Sequence, residues 1–234
     1  MHKTDLPQYA IDGALRRRGC AHIYDQLDSA RTALVVIDMQ NMFLEVGAPA
    51  EVPIAREIVP NINRLAASLR DAGGTVVWVQ MTQTNDNLSD WSVYYDGVST
   101  EERAAKCLEW LTEGSHGHAI WPELEVQGGD LISLKDRYSA FLPGASDIEQ
   151  QLRARDIDTV LITGTVTNVC CESSARDAMM RNFKVLMVSD GNATFRDEEH
   201  LATLASIYQV FGDVMTTDEV ISRLSAARQP QAAE

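Results

Sequence analysis

The chain has 234 residues, of which 45% are hydrophobic and 23% charged, and its formal net charge is −14 at pH 7. This length and composition are typical of one large globular domain with a sizeable core. The negative charge argues against nucleic acid or an anionic membrane as a partner, because both repel an acidic surface. No apolar run reaches the roughly 18 residues that span a membrane, and residues 1–12 lack an apolar signal segment. The four cysteines have no disulfide-scaffold spacing, so we expect a cytoplasmic protein that acts on a small molecule.

Buried strands alternate with amphipathic helices along the chain. The apolar runs predict strands at residues 33–37, 75–80, 131–134, 159–163, 184–189 and 213–215. Helices are predicted from about residue 60 to Gly73, from the capping box at residues 146–149 to about 155, from the cysteines to about 182, at 198–208, and after a cap at 216–219. The alternation predicts an α/β fold, a doubly wound three-layer sandwich with a mainly parallel sheet.

Two segments depart from this alternation. Residues 1–30 form a predicted N-terminal extension before the main domain, residues 31–228, and the basic run at 16–18 indicates a solvated arm or a subunit contact. Residues 82–128 form a long, less regular insert that is rich in Asn, Asp, Ser, Gly and aromatic residues. A long irregular insert in a compact domain is often functional.

Cys170 and Cys171 lie where the predicted strand at 159–163 turns into a helix. Free backbone N–H groups and the positive end of the helix dipole favour an anion there. Such an environment lowers the pKa of a thiol and produces a nucleophile. The alternative is that the cysteine is a small buried apolar residue.

Asp38 ends the first predicted strand, and Lys135 ends the third. Open parallel sheets bind ligands at the carboxyl ends of their strands, so these side chains and Cys170 should converge. Together they match a base, a positive orienting group and a nucleophile. Alternatively, Asp38 caps a turn and Lys135 is a surface charge. None of the five histidines is near these segments in the sequence, which favours a carboxylate over a histidine as the base.

Residues 36–43, 134–141 and 164–170 resemble, in order and spacing, the motifs of the isochorismatase-like cysteine hydrolases. The resemblance covers roughly residues 30–225. It implies a doubly wound sandwich, a catalytic triad of Asp38, Lys135 and Cys170, and a dimeric or tetrameric homo-oligomer. It also implies a cis peptide between Thr165 and Val166, with the N–H groups of Val166 and Cys170 forming an oxyanion hole.

Departures from subfamily patterns narrow the predicted activity. Isochorismatases proper act on a vinyl ether and lack the nucleophilic cysteine, so Cys170 argues for C–N hydrolysis. Nicotinamidases carry an Asp and two His after the second strand, whereas residues 81–91 contain no histidine. We therefore expect no metal and no other cofactor, and interpret His116 and His118 as loop residues. The amino-acid sequence at residues 137–139 and 167–170 resembles the ureidoacrylate-type group most.

The resemblance predicts a cysteine-dependent amidohydrolase that cleaves a small carbamoyl, ureido or amide compound through a thioester and releases ammonia or an amine. Alternatives are a nicotinamidase-type amidase without the metal site, a non-catalytic binding protein, and a redox pair of Cys170 and Cys171, which disulfide geometry disfavours. Because successive helical residues point about 100° apart, we expect Cys170 to face the cleft and Cys171 to pack inward.

A polar, planar ureido substrate requires hydrogen-bond partners in its pocket. Amide, cationic and aromatic side chains near the strand ends and in the insert are the candidates. The predicted substrate contacts are Gln40, Asn41, Gln80, Gln83, Trp91, Tyr94, Tyr95, Arg137 and Tyr138. The alternative for each amide is backbone capping, and for each aromatic residue it is core packing.

Overall fold

A single parallel sheet organises the chain. The computed structural model of the protein describes residues 1–227, so the predicted domain end at residue 228 lies outside the described residues. The sheet has six strands in the order β3-β2-β1-β4-β5-β6, and every pairing between neighbours is parallel. The strands are β1 (Thr32–Ile37), β2 (Thr75–Met81), β3 (Leu131–Lys135), β4 (Thr159–Thr165), β5 (Lys184–Ala193) and β6 (Asp213–Met215).

The strand order reverses between β1 and β4. From β1 the chain adds β2 and β3 on one side, and it then crosses back to add β4, β5 and β6 on the other. In open α/β sheets such a switch point opens a crevice at the carboxyl ends of the strands. Asp38 follows β1 and the cysteines follow β4, so the topology brings both to this crevice.

Helices cover both faces of the sheet. They are α1 (Gln8–Arg18), α2 (Asn41–Leu44), α3 (Val59–Asp71), α4 (Asn85–Asp90), α5 (Glu101–Leu111), α6 (Ile148–Arg153), α7 (Glu172–Met180), α8 (Asp197–Ser206) and α9 (Thr217–Ala227). Alternate residues of β1 enter different cores, as the two-residue period of a strand requires. Val35 and Ile37 pack with α6 and α7, whereas Leu34 and Val36 pack with α3 and α9. The predicted α/β three-layer sandwich is therefore confirmed. No helix among the described residues is long and apolar enough to cross a membrane.

The insert at residues 82–128 is more regular than its composition predicts. It contains α4, a wide helical turn at Val93–Val98, and α5. Helix α5 forms because Ala104, Cys107 and Leu111 recur every three or four residues and are buried along one face. Polar residues separate these three positions, so the apolar face of this short helix is not evident from the sequence.

The N-terminal segment packs against the domain. Helix α1 buries Ala10 and Ala14, and Ala14 joins the core on one face of the sheet. The Arg18 guanidinium donates hydrogen bonds to the carbonyls of Tyr208 and Gly212 and lies 4.2 Å from the centre of the Tyr208 ring. The last residue of the basic run is therefore a packing contact, while Arg16 and Arg17 are exposed as a solvated arm would be.

Candidate active site

Asp38, Lys135 and Cys170 meet in space although they are far apart in the chain. The Lys135 Nζ atom lies 2.8 Å from Asp38 Oδ2 and 3.5 Å from Cys170 Sγ. All three residues are buried, with exposed fractions of 0%, 1% and 6% for Asp38, Lys135 and Cys170. The Arg137 carbonyl accepts a further hydrogen bond from Nζ at 3.0 Å. The strand ends therefore form a buried cluster of a carboxylate, an ammonium and a thiol.

Backbone contacts between neighbouring strands fix the Asp38 side of the cluster. Asp38 has a positive φ of 53°, its N–H donates to the Val79 carbonyl at 2.9 Å, and its own carbonyl accepts from the Thr165 hydroxyl at 3.0 Å. Gly164 lets β4 approach β1 closely at this point, because a Cβ there would lie 2.0 Å from the Ile37 carbonyl oxygen. A side chain at residue 164 would push the two strand ends apart.

The Cys170 side of the cluster is a wide helical turn, Thr167–Cys171, which joins β4 to α7. The Val166 carbonyl closes this turn by accepting from the N–H groups of Val169 at 3.0 Å and Cys171 at 3.3 Å. The peptide between Thr165 and Val166 is cis, as the family resemblance implies. Cys171 is fully buried with its Sγ atom 3.9 Å from the Thr163 carbonyl, whereas Cys170 lines a cavity. The structure thus orients the two cysteines as the helical geometry predicts.

The electrostatics of the cluster differ from the prediction of an acidic thiol. Burial raises the pKa of Cys170 to about 12, and the nearby Asp38 carboxylate adds to the rise, while Lys135 opposes it. Burial likewise raises the pKa of Asp38 against the opposing charge of Lys135. For Lys135 burial lowers the pKa, but Asp38 and Cys170 outweigh it and the net pKa is raised. The resting cluster therefore combines the ion pair of Lys135 and Asp38, 2.8 Å apart, with a neutral thiol, because desolvation of Cys170 outweighs any effect of the helix dipole.

A cavity of about 180 Å³ lies in front of Cys170. Its wall is mainly apolar and aromatic. The lining residues are Met42, Phe43, Ala50, Met81, Gln83, Trp91, Tyr94, Arg103, Cys107, Leu111, Tyr138, Val166, Val169, Cys170 and Phe195. Four of the predicted substrate contacts are among them: Gln83, Trp91, Tyr94 and Tyr138.

The aromatic part of the wall is a mutually packed group. The rings of Trp91 and Tyr94 stack with their centres 4.6 Å apart, and Tyr138 meets Trp91 edge-on at 4.8 Å. The Arg137 guanidinium lies 5.3 Å from the centre of the Trp91 ring and donates to the Asp90 carbonyl. Tyr95 is buried and meets Trp91 edge-on. Arg137 and Tyr95 therefore support the aromatic wall and are not among the residues that line the cavity.

The predicted contacts at Gln40, Asn41 and Gln80 serve the protein backbone instead. The Gln40 amide donates to the carbonyls of Met81 and His118, and its oxygen accepts from the Met81 N–H. Gln80 also donates to the His118 carbonyl, and Asn41 donates to the His116 carbonyl. The His116 and His118 carbonyls lie outside the strands of the sheet, and these side chains satisfy them. The structure thus supports the capping alternative for all three amides.

Two histidines are close to the site in space but not in the sequence. His118 is buried, and its Nε2 atom lies 2.8 Å from the Thr82 hydroxyl. The ring nitrogens of His200 contact the Thr167 hydroxyl and the Ser189 carbonyl, each at 3.0 Å, and burial lowers its pKa to about 4. Both histidines are structural contacts of the loops that border the site. Within residues 1–227 no three His, Cys, Asp or Glu side chains are grouped so that they could hold a metal ion.

Sequence reasoning missed most of the apolar wall and the basic residue in it. Arg103, Cys107 and Leu111 are four residues apart on α5, and all three line the cavity. The spacing places them on one helical face, so an i, i+4, i+8 pattern in the insert was the signal that could have identified them. Phe195, just beyond β5, gave no such signal.

Comparison with known proteins agrees with the fold and the motifs. Residues 32–219 match the isochorismatase domain. This match spans most of the chain, which therefore belongs to the isochorismatase family of hydrolases.

Individual relatives agree with this assignment. The chain is 31% identical over 209 residues to the uncharacterized isochorismatase family protein YwoC of Bacillus subtilis, covering 85% of this chain and 96% of that protein. It is 30% identical over 216 residues to the ureidoacrylate amidohydrolase RutB of Variovorax paradoxus, covering 86% and 84%. The solved cysteine hydrolase of Pseudomonas syringae pv. phaseolicola superposes with a TM-score of 0.73 at 31% identity, covering 86% of this chain and 95% of that one.

Proposed function

We propose that this chain is a cysteine-dependent amidohydrolase that cleaves a C–N bond of a small carbamoyl, ureido or amide compound. The observation that carries the proposal is the buried cluster of Asp38, Lys135 and Cys170 in contact with a small cavity. A nucleophile, a proton acceptor and a fixed positive charge within hydrogen-bonding distance are the parts that acyl transfer needs. The similarity to a ureidoacrylate amidohydrolase and to a cysteine hydrolase supports the same reaction class.

The first step forms a covalent bond between Cys170 and the substrate carbon. Because the thiol is neutral at rest, its proton passes to Asp38 as Sγ attacks the carbonyl carbon. The raised pKa of Asp38, caused by burial, makes this carboxylate a better acceptor than an exposed one. Lys135 stays positive throughout and balances whichever partner carries the negative charge. The net charge of the buried cluster is therefore constant, so the step avoids the cost of creating a new buried charge.

The second half of the reaction releases ammonia or an amine and then hydrolyses the thioester at Cys170. The oxyanion would lie between the N–H groups of Val166 and Cys170, two residues of the cavity wall. Protonated Asp38 donates its proton to the leaving nitrogen, the C–N bond breaks, and ammonia or an amine departs. Water then attacks the thioester, with Asp38 again accepting a proton, and the Cys170 thiol is restored.

Gln83 is the predicted polar contact that the structure supports best. It lines the cavity with an exposed fraction of 2%, and its Oε1 atom accepts no hydrogen bond from the described residues. An unpaired buried acceptor is costly unless a ligand satisfies it. A carbamoyl or amide N–H is a donor of the required kind.

The apolar wall favours a second candidate substrate class. Phe43, Trp91, Tyr94 and Tyr138 surround the cavity, and aromatic side chains stack well on flat rings. An aromatic amide such as nicotinamide would fit these surfaces, in which case the chain is a nicotinamidase-type amidase without the usual metal site. A non-catalytic binding role is less consistent with a complete cluster.

Ammonia release from a panel of compounds tests the proposal. The panel contains ureidoacrylate, N-carbamoylsarcosine, biuret, triuret and nicotinamide. Wild-type protein should release ammonia from at least one, Cys170→Ser should abolish release while keeping the fold, and Cys171→Ala is the matched control that should retain most activity. No release from the whole panel, or a dead Cys171→Ala variant beside an active Cys170→Ser variant, would overturn the proposal. Preference for nicotinamide by more than about tenfold in kcat/KM, roughly 1.4 kcal/mol, would select the aromatic amide class.

A further inference from the structure

Arg103 is a basic residue in a cavity wall that is otherwise mostly apolar. It is exposed, on the first turn of α5, whereas Cys170 is buried. Arg103 therefore lies on the solvent side of the cavity, and the thiol lies on the inner side. A substrate with its carbonyl at Cys170 would extend its other end towards the guanidinium.

The positive charge of Arg103 acts inside the cavity. Burial raises the pKa of Tyr94, Cys107 and Tyr138, and the guanidinium of Arg103 opposes the rise at each of them. All three of these residues line the cavity. The guanidinium is thus close enough to influence charges on several sides of the same pocket.

Arg103 also lacks the carboxylate partner that most arginines of this chain have. Arg18, Arg70 and Arg176, for example, pair with Asp213, Asp130 and Glu172, and acidic residues outnumber basic ones by 34 to 20. Among the described residues no Asp or Glu lies within ion-pair distance of Arg103, although Glu101 and Glu102 share its helical turn. An arginine near a helix N-terminus is also placed unfavourably with respect to the helix dipole. The missing carboxylate partner and the unfavourable position at the helix N-terminus indicate that Arg103 binds a ligand.

We propose that Arg103 binds a carboxylate of the substrate, so that the substrates are small ureido or amide acids whose acidic group lies at the end remote from the scissile C–N bond. This inference rests on the proposed function and adds the charge of the substrate to it. A planar guanidinium suits a carboxylate because it can donate two parallel hydrogen bonds. A local positive group would also offset the repulsion between an anionic substrate and a chain of net charge −14.

A pair of probes that differ only in charge tests the inference. The probes are 3-ureidopropanoate and 3-ureidopropan-1-ol, and the measured quantity is the acid-to-alcohol ratio of kcat/KM. We expect a ratio of about ten or more for the wild type, a ratio near one for Arg103→Gln, mainly through KM of the acid, and an intermediate ratio for Arg103→Lys. Arg155→Gln is the matched control, because Arg155 is exposed, lacks a carboxylate partner among the described residues, and is not part of the cavity wall. Raising the ionic strength from about 0.05 M to 0.5 M should reduce the wild-type ratio, since salt screens exposed charges.

Equilibrium binding separates this inference from the proposed reaction. Calorimetry with Cys170→Ala protein should show that 3-ureidopropanoate binds at least about tenfold more tightly than the alcohol, and that adding Arg103→Gln removes the difference. This result would support the carboxylate site even if the wild type hydrolysed neither probe, an outcome that would count against the proposed function alone. If the Cys170→Ala protein with Arg103 intact binds the acid and the alcohol with equal affinity, or binds neither, the carboxylate site is wrong. An equal loss for both probes in Arg103→Gln would overturn it as well.

Discussion

Replacing Asp38 by Asn should make the Cys170 thiol more acidic while lowering kcat at least about 100-fold. In the wild type the carboxylate of Asp38 raises the thiol pKa and the ammonium of Lys135 lowers it. Removal of the carboxylate removes its repulsion of a thiolate, while the attraction from Lys135 remains. That attraction, across the Nζ–Sγ distance of 3.5 Å, corresponds to roughly 5 kcal/mol at an effective dielectric constant of about 20, and the repulsion from Asp38 is smaller. At about 1.4 kcal/mol per pKa unit, the thiol pKa should therefore fall from about 12 by less than about three units.

The assay is the pH dependence of Cys170 alkylation by iodoacetamide, followed by peptide mass spectrometry, with ammonia release measured on the same samples. The alkylation midpoint should shift down in Asp38→Asn, and kcat should fall at least about 100-fold because the proton acceptor is gone. Asp136→Asn is the matched control, since it removes a neighbouring carboxylate that is not among the main causes of the raised pKa of Cys170.

Two results would refute this reasoning. An unchanged or higher alkylation midpoint in Asp38→Asn would show that the carboxylate does not hold the thiol neutral. Turnover within tenfold of the wild type would show that Asp38 is not the group that moves the proton. A lower midpoint together with lost turnover is the combination that a proton acceptor requires and a purely structural carboxylate does not explain.

Three further predictions concern the ion pair, acid stability and metals. Lys135→Met should lower the free energy of unfolding in urea by about 3–5 kcal/mol, because it leaves a buried carboxylate unpaired. The double variant Asp38→Asn/Lys135→Met should recover most of this loss. A double variant whose loss equals the sum of the two single losses would contradict a coupling between the residues. Burial raises the pKa of Asp130, but hydrogen bonds from Arg70 and Trp78 outweigh it and hold the pKa below its ordinary value. The stabilisation is therefore present above the unfolded-state value of about 3.9 and is lost as pH falls through the folded value, so the deficit of Asp130→Asn seen in urea unfolding at pH 7 should shrink below about pH 4. Prolonged chelation should leave ammonia release unchanged, and a stoichiometric zinc or iron lost together with activity would reject this prediction.

The sequence predicts the cluster well because strand ends in a parallel sheet are constrained by topology. The apolar run of β1 ends at Ile37, so the next residue, Asp38, has to lie at the carboxyl edge. The same argument places Lys135 at the end of β3 and Cys170 beyond β4. These placements follow from the order of the strands and do not depend on side-chain packing, so the pattern of residue types is sufficient to predict them.

Two features of the site could not be predicted from the sequence: the direction of the Cys170 pKa shift, which depends on desolvation, and the partners of the buried amides, which depend on the conformation of the loop backbone. The thiol at residue 170 follows a strand and precedes a helix, which suggests a low pKa, yet its burial beside a carboxylate reverses the direction. Gln40 and Gln80 are near the carboxyl edge of the sheet, but their amides donate hydrogen bonds to the carbonyls of Met81 and His118. A one-dimensional pattern contains no information about which backbone groups lack partners.

The cavity combines two sources of residues with different constraints. Met81 ends β2, and Val166 and Cys170 follow β4, so the sheet fixes the position of all three. Trp91, Tyr94, Arg103, Cys107 and Leu111 come from the insert between β2 and β3, outside the strands of the sheet. Substitutions in the insert can change the shape and charge of the cavity without moving the nucleophile. We therefore expect the strand ends to determine that a C–N bond is cleaved, and the insert to determine which acid or amide carries that bond.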